Sequence, residues 1–306
     1  MTARVFIDGE VGTTGLQIRD RLSPRDDITL ISLPEDRRKD ADARAEALAG
    51  ADVAILCLPD DAAREAVKLC ADTGTRLIDA STAHRTDPAW TFGFPEMAPG
   101  QEAAVAGAAR VSNPGCYSTC AIALLRPLRD AGLLAPDTPI SIFGISGYTG
   151  GGKSLIAEFD GDSAMGSFVY ATGQTHKHLP EIVTHAQLDA TPMFIPSVGP
   201  FAQGMVVQIA LHPGMFKGSA QDLHAALADH YASGFVRVRP LAAQQAREEP
   251  QALNGTNDLE LAVLGDAGKG RVVLSAILDN LGKGASGAAV QNLNLMLGLD
   301  PATGLR

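Results

Sequence analysis

The chain has 306 residues, a formal net charge of -10 and 45% hydrophobic residues, values that are ordinary for a globular protein with room for two domains. No apolar run approaches the ~20 residues of a membrane helix, and the absence of a basic block argues against nucleic acid as a partner. The opening "MTARVFIDG" enters a strand-like run at once and predicts no secretory signal. The four scattered cysteines predict no metal site and a reducing, cytoplasmic location.

The first segment, "RVFIDGEVGTTGLQIRDRL", has the pattern of a short strand, a glycine-rich turn and a helix. Gly9, Gly12 and Gly15 are spaced G-x-x-G-x-x-G, one residue away from the usual dinucleotide fingerprint. Such a turn still lets backbone amides and a helix N-terminus approach a pyrophosphate. We therefore predict a dinucleotide site at these glycines together with Thr13 and Thr14, although glycine-rich turns also serve purely structural ends.

Strand-like and helical patterns alternate after this turn. Strands are predicted at 28–33, 52–58 and 76–81, with helices at about 37–48 and 61–71. Alternation of this kind with apolar strands is typical of an α/β domain with a Rossmann-like, doubly wound parallel sheet. Ser81, at the end of the last of these strands, is included among the predicted cofactor-binding residues.

The stretch "SLPEDRRKD" follows the second predicted strand and concerns the choice of dinucleotide. NAD enzymes place an acid here for the ribose 2′-hydroxyl, and two acids are present. Three cations follow them immediately, and Arg37 and Arg38 with Ser32 suit a 2′-phosphate. We therefore predict NADP(H), with a solvated first turn of a helix as the alternative explanation of the cations.

The stretch "VSNPGCYSTC" precedes an amphipathic helical pattern that should end near Gly132. Asn113 and Pro114 are predicted to be the cap and a first-turn residue. Cys116 would then lie at the helix N-terminus, where unpaired amides and the helix dipole stabilise a thiolate. Cys116 is therefore a predicted nucleophile, whereas Cys120, one turn deeper, is predicted to be buried packing.

A cysteine nucleophile needs a base from a distant part of the chain. In "THKHLPEI", His176 and His178 would point to the same side of an extended segment that ends where Pro180 and Glu181 open a helix. One imidazole could exchange a proton with the thiol while the other donates to a developing oxyanion, and the residues alone leave the order open. Glu181 is predicted to orient His178 or to cap its helix.

Residues 147–154, "GYTGGGKS", fit the phosphate loop of nucleotide hydrolases letter for letter. A hydrolase also needs an acid for magnesium at the end of another strand of the same sheet, and the candidate strands belong to the other predicted domain. We therefore predict a substrate loop in which Ser146, Gly147 and Lys153 bind a phosphate or carboxylate. A nucleotide hydrolase is the alternative.

The remaining sequence predicts an α+β domain. Strands at 205–211 and 235–241 flank a helix at 221–231, and the turn "GDAGKG" separates two apolar runs that predict a hairpin and hence a largely antiparallel sheet. The segment from Asn280 is predicted to be helical and to return to the first domain. The predicted domains are residues 1–113 with 281–306 for the dinucleotide, and residues 114–280 for substrate, catalysis and oligomerisation.

Five motifs in this order carry a resemblance: "GEVGTTG", "SNPGCYSTC", "SGYTGGGKS", "HKHLPEI" and "DNLGKGASGAAVQNLNLMLGL". The chain resembles the N-acetyl-γ-glutamyl-phosphate reductase family, in the shorter of its two forms, within the wider semialdehyde dehydrogenase group. The resemblance implies an NADPH-dependent cytoplasmic enzyme of arginine biosynthesis that forms homodimers or homotetramers. It implies that Cys116 displaces phosphate from N-acetylglutamyl phosphate, and that the resulting thioester is reduced to the semialdehyde.

The resemblance also assigns roles to further residues. His178 would pair with the thiol and His176 would bind the oxyanion. Because an acetylated, doubly anionic substrate needs cations, we predict Arg85 first, Lys153 second and Arg110 third, with a surface role as the alternative for each, and Asn113 as a further substrate-binding residue. Longer relatives often have Gln where this chain has Ala288, so Asn280 or backbone amides would serve at the cofactor instead. Another acyl-phosphate reductase, such as aspartate-semialdehyde dehydrogenase, is the nearest alternative, and a catalytically inactive NADP sensor is a more distant one.

Overall fold

The structure, a computed structural model, describes residues 2–161, 166–243, 246–266 and 270–305. The strands are β1 (Ala3–Asp8), β2 (Ile28–Ile31), β3 (Val53–Leu56), β4 (Arg76–Asp79), β5 (Thr91–Phe92), β6 (Arg110–Ser112), β7 (Ser141–Gly147), β8 (Phe168–Val169), β9 (Met193–Gly199), β10 (Met205–Leu211), β11 (Val236–Val238), β12 (Leu259–Asp266) and β13 (Arg271–Leu278). The α-helices are α1 (Thr13–Leu22), α2 (Ala41–Ala49), α3 (Asp60–Leu69), α4 (Gln101–Gly107), α5 (Cys116–Asp130), α6 (Gly152–Phe159), α7 (Leu179–His185), α8 (Ala220–His230) and α9 (Gly287–Met296).

The chain divides into two compact units, each with its own sheet. The first unit consists of Met1–Pro95, Gly100–Pro114 and Ala285–Arg306, and the second of Glu96–Pro99 and Gly115–Gly284. Within the described ranges, no helix combines the length and the apolar character that crossing a membrane requires.

The sheet of the first unit has the strand order β2-β1-β3-β4-β6-β5, and the described pairs are parallel. β3 is buried along its whole length, as expected for a strand covered by helices on both faces. The strand order changes direction between β1 and β3, and ligands of such sheets bind beyond the carboxyl ends of the strands at that point. This is the predicted doubly wound α/β fold.

The predicted helix at 37–48 begins later than expected. Residues Glu35–Arg37 form a 3₁₀ turn, and α2 starts at Ala41. The reason is Asp40, whose side chain accepts a hydrogen bond from Ala43 N at 2.8 Å and so caps the helix. The loop between β2 and α2 is therefore longer than predicted, and Arg37 and Arg38 belong to it.

The second unit has a mixed, largely antiparallel sheet of order β11-β12-β13-β10-β7-β9-β8. The pairs β7–β9 and β11–β12 are parallel, and the other described pairs are antiparallel. α5 packs against the sheet through β10, β12 and β13, and α7 and α8 pack against α5. The predicted hairpin is β12–β13; residues 267–269 of its turn lie outside the described part of the chain.

Candidate active site

The glycine turn of the first unit is shaped by two close backbone approaches. Gly9 has φ +89°, and a Cβ there would lie 2.3 Å from the carbonyl oxygen of Cys57. A Cβ on Gly15 would lie 2.5 Å from the oxygen of Gly9. Because neither position has room for a side chain, the chain folds tightly from β1 into α1, whose first turn contains Thr13 and Thr14. Helix amides of a first turn lack intrahelical partners, which suits a pyrophosphate.

A cavity of about 610 Å³ lies beside this turn, at the carboxyl end of β1. Glu10, Leu33, Arg38 and Lys39 are among the residues that line it. The Nε of Arg38 is buried and has no hydrogen-bond partner within the described residues. An unsatisfied guanidinium donor fits a phosphate oxygen. Arg37 lies outside the lining, exposed to solvent and 3.4 Å from Asp40.

Ser32 and Ser81, two other predicted cofactor residues, are bound to acids. Ser32 Oγ donates to Glu10 at 3.4 Å. Ser81 donates to Asp79 through its N–H at 2.9 Å and its Oγ at 2.8 Å. Asp79 also binds His84 Nδ1 at 2.6 Å. The contacts of Ser81 therefore organise the turn after β4.

Asn113 is not the cap of α5, contrary to the prediction. Its Nδ2 donates to the carbonyl of Ala285 at 3.0 Å and its Oδ1 accepts from Asn292 Nδ2 at 3.0 Å. Gly115, with extended backbone, is the N-cap instead. Arg85 is buried in the first unit and donates to the carbonyls of Asn113 and Ala80. Arg110 lies with its guanidinium carbon 5.9 Å from the centre of the Trp90 ring.

Cys116 is the first residue of α5, as the sequence predicted. It lines a cavity of about 440 Å³ in the second unit, together with Ser146, Gly147, His176 and His178 of the predicted set. The two imidazole centroids are 4.7 Å apart, in edge-to-face contact. The structure thus brings the predicted nucleophile, both predicted histidines and the start of the glycine loop to one cavity. A thiol at this helix position is favoured as thiolate.

Glu181 lies behind His178. Its side chain is buried, its Oε1 accepts a hydrogen bond from Ser118 Oγ, and the same oxygen is 4.0 Å from His178 Nε2. Ser118 belongs to α5, two residues after Cys116. The carboxylate therefore lies between the nucleophile's helix and the imidazole of His178.

His176 is held as a neutral imidazole with a defined tautomer. The N–H of His178 donates to His176 Nδ1 at 3.2 Å, so the proton of the neutral ring lies on Nε2. Burial, aided by the charge of Lys177, lowers the pKa of His176 to about 4. At neutral pH this ring presents an Nε2–H donor without a positive charge.

Lys153 and Asn280 lie outside the set of residues that line the Cys116 cavity. Lys153 is exposed on α6 and is not among the residues that line the cavity. Asn280 Oδ1 accepts from Gly204 N at 2.8 Å, and its Nδ2 donates to Thr149 Oγ1 at 3.2 Å. Asn280 thus fixes the glycine loop within the second unit.

The loop "GYTGGGKS" leads from β7 through a 3₁₀ turn, Tyr148–Gly151, into α6. The parallel neighbour of β7 is β9, whose carboxyl end, "SVG", is followed by "PFAQG" and carries no acid in this described stretch. The parallel strand paired with β7 therefore offers no carboxylate for a magnesium ion. Nor does any group of three or more His, Cys, Asp or Glu side chains gather at metal-binding distance in the part of the chain that is described.

Two family models match the chain. Residues 12–105 match the semialdehyde dehydrogenase NAD binding domain, and residues 116–280 match the semialdehyde dehydrogenase dimerisation domain. The N-acetyl-gamma-glutamyl-phosphate reductase of Brucella anthropi is 53% identical, over 97% of this chain and 99% of its own. That of Brucella suis is also 53% identical, over 97% and 100%.

The chain belongs to the N-acetyl-gamma-glutamyl-phosphate reductases of the semialdehyde dehydrogenase family. The resemblance inferred from the five motifs is therefore confirmed. Solved structures share the fold: aspartate semialdehyde dehydrogenase II of Vibrio cholerae has a TM-score of 0.73 at 16% identity, covering 97% of this chain and 99% of its own. The Candida albicans aspartate semialdehyde dehydrogenase has a TM-score of 0.66 at 14% identity, covering 97% and 99%.

The cavity of this family member also contains residues that sequence reasoning missed. Lys177 lines it, although an extended segment would have turned Lys177 away from both histidines. The predicted extended segment is wrong here, because the N–H of Leu179 donates to the carbonyl of His176 at 3.0 Å and His178 already has helical φ and ψ of -81° and -18°. Tyr117 and Tyr170 also line it and share a hydrogen bond, and burial raises the pKa of both phenols.

The tautomer and charge of His176 can be tested by titration. Because its folded-state pKa is depressed below the ordinary 6.5, His176 should stay neutral as the pH falls from 8 to 5.5. In that window its Hε1 chemical shift, assigned with His176→Gln, should not move. Between about pH 6.5 and pH 4 the unfolded chain binds a proton at His176 and the folded chain does not. The contribution of His176 to the free energy of unfolding is therefore fully present above about pH 6.5 and is lost as the pH falls towards 4. A midpoint near 6.5 would contradict this assignment.

Gly284 tests how precisely Cys116 must be placed. It lies in the π-helical segment Gly282–Ser286, and a Cβ there would be 2.7 Å from the Cβ of Cys116. Gly284→Ala should therefore displace the thiol and lower its rate of alkylation by iodoacetamide roughly 10-fold to 100-fold. Gly166→Ala, where a Cβ meets nothing within 4 Å, is the control. Equal alkylation rates in the two variants would show that the site absorbs the extra methyl group.

Proposed function

We propose that this chain reduces N-acetyl-L-glutamyl 5-phosphate to N-acetyl-L-glutamate 5-semialdehyde and phosphate, with NADPH, in cytoplasmic arginine biosynthesis. The observation that carries the proposal is Cys116 at the first position of α5, in one cavity with two adjacent imidazoles. The name of the relatives at 53% identity supports the substrate.

The chemistry follows from the groups around the thiol. The Cys116 thiolate attacks the acyl carbon, a C–S bond forms, the C–O bond to the phosphate breaks, and phosphate leaves. When bound, the nicotinamide coenzyme supplies the hydride for the thioester carbonyl. His176 donates from Nε2–H to the carbonyl oxygen as it gains charge in both stages. When the C–S bond breaks and the aldehyde is released, His178 donates a proton to the departing sulfur of Cys116. Glu181 lies next to His178 on the side of α5.

The same proposal assigns the binding residues. Gly9, Gly12, Thr13, Thr14 and Gly15 would hold the pyrophosphate, and Arg38 would hold a 2′-phosphate through its unsatisfied Nε. NADP is favoured over NAD because Arg38 belongs to the cavity lining and its Nε has no hydrogen-bond partner among the described residues. Ser32 contacts Glu10 of the cavity lining, and Arg37, Ser81 and Asn280 are further cofactor candidates from the sequence. Ser146, Gly147 and Lys177 would face the substrate, with Asn113, Arg85, Lys153 and Glu181 as the further candidates from sequence.

We also propose that the chain forms a homodimer or homotetramer through the sheet of the second unit. Phe143, Val169 and Met193 are 41%, 53% and 57% exposed. The strand register places all three on one face, since Phe143 pairs with Ile195, Met193 with Ser141, and Val169 with Ser197. An apolar sheet face of this kind is typical of an interface, and the match to a dimerisation domain supports it.

The test runs the reaction backwards. The protein is mixed with N-acetylglutamate semialdehyde, phosphate and NADP, and the reduced-nicotinamide absorbance is followed. We expect a rise that requires phosphate and is much slower with aspartate semialdehyde. A faster reaction with aspartate semialdehyde would indicate instead that the chain is an aspartate-semialdehyde dehydrogenase. Turnover of ATP by Cys116→Ser would instead support a nucleotide hydrolase at residues 147–154.

A further inference from the structure

Glu10 is a buried acid at the centre of a charged cluster in the dinucleotide cavity. It is only 7% exposed and lines the cavity of about 610 Å³. Its Oε1 lies 3.2 Å from Arg38 Nη2. Its Oε2 lies 3.9 Å from Arg19 Nη1 and accepts a hydrogen bond from Ser32 Oγ at 3.4 Å. Both carboxylate oxygens are thus engaged by groups from α1 and the segment after β2.

The position of this carboxylate is fixed by the glycine turn. Glu10 follows Gly9, whose φ of +89° sets the direction of the chain, and the Cα of Glu10 would lie 2.9 Å from a Cβ on Gly15. The acid is therefore set by the same close packing that shapes the pyrophosphate turn. Arg38, in contrast, belongs to the loop between β2 and α2 and its side chain is 33% exposed. Glu10 is thus the more buried partner of the pair.

Arg38 keeps donors for a ligand after binding Glu10. A guanidinium carries five N–H groups in a planar fork, and the contact with Glu10 uses Nη2. Nε is buried without a partner among the described residues. Two arginines face the carboxylate of Glu10, so this cluster keeps a net positive charge, although the cavity lining as a whole also contains Asp8, Glu35, Asp36 and Glu65. An anion such as a 2′-phosphate matches this arrangement.

We propose that Glu10 is the positioning residue for coenzyme discrimination: it holds Arg38 at the cavity wall so that Arg38 binds the 2′-phosphate of NADPH. This inference rests on the proposed use of NADPH. A carboxylate in such a cavity can instead accept the ribose 2′-hydroxyl and select NADH. The contacts of both its oxygens with Arg38, Arg19 and Ser32 favour the first role.

The test measures the dissociation constants of NADPH and NADH by the fluorescence of the reduced nicotinamide. Glu10→Ala should weaken NADPH about 10-fold, because a charge-assisted contact that orders Arg38 is lost. NADH should change less than about twofold. Glu10→Gln keeps an oxygen that can accept from Arg38 but removes the charge, so NADPH should weaken about threefold. Asp42→Ala, an exposed acid in the first turn of α2, is the matched control.

A double variant shows whether Glu10 acts through Arg38. In the Arg38→Ala background, Glu10→Ala should cause no further loss of NADPH affinity. Equal weakening of both coenzymes by Glu10→Gln would show a role in the turn alone and would overturn the proposal. Tighter NADPH binding, or a loss confined to NADH, would overturn it in favour of the 2′-hydroxyl. Binding is measured without substrate, so a failed reductase assay leaves this result standing, and the reverse also holds.

Discussion

Cys116→Ala is expected to abolish the phosphate-dependent oxidation of N-acetylglutamate semialdehyde, lowering the rate by about 10⁴-fold or more. The thiolate forms the covalent bond to the acyl carbon, and the methyl group of alanine cannot replace it as nucleophile. NADPH binding should be unchanged, because the glycine turn and the Arg38 cavity belong to the other compact unit. The measurements are the reduced-nicotinamide absorbance and a fluorescence titration with NADPH.

Cys120→Ala is the matched control, since Cys120 lies one turn further along α5 and is fully buried. It should lose some stability through the small cavity that it creates, and it should keep its activity. Activity in Cys116→Ala within tenfold of the natural protein would refute the covalent mechanism. Loss of activity in both variants would point to a disturbed helix rather than to a missing nucleophile.

His178→Ala should lower the rate by ~10²–10⁴ if this imidazole is the acid/base. Its Nε2 lies 4.0 Å from the carboxyl group of Glu181, and the neutral His176 cannot supply a proton without becoming an anion. His176→Ala should remove an oxyanion donor instead, so its loss should be of similar size but without a change in the pH dependence of the rate. Steady-state rates from pH 6 to 9 separate the two.

The control for the second prediction is His185→Ala, at the last position of the same helix and outside the residues that line the cavity. It should retain nearly full activity. A loss of less than tenfold in His178→Ala would transfer the acid/base role to His176. That outcome would also require the pKa of His176 to rise when substrate binds.

The sequence alone determined the local elements and the nucleophile's position. Strands, helices and the β12–β13 hairpin followed from periodicity and turn residues, because these patterns are local. The stretch "SNPGC" predicted Cys116 within the first turn of a helix, although with a start two residues too early, and the spacing of the two histidines predicted that they lie near each other. Even the late start of α2 had a local signal, since Asp40 stands where a capping residue should.

Only the tertiary structure decided which side chains meet. Asparagine is a residue type that commonly caps helices. The side chain of Asn113 nevertheless forms hydrogen bonds with the side chain of Asn292 and with the backbone of Ala285, which lie far along the chain. Arg85 looked like a substrate cation and is held by two backbone carbonyls, whereas Lys177 lines the cavity. The physical reason is that side-chain partners of a buried polar group come from strands and helices distant in sequence, and burial requires each such group to find one.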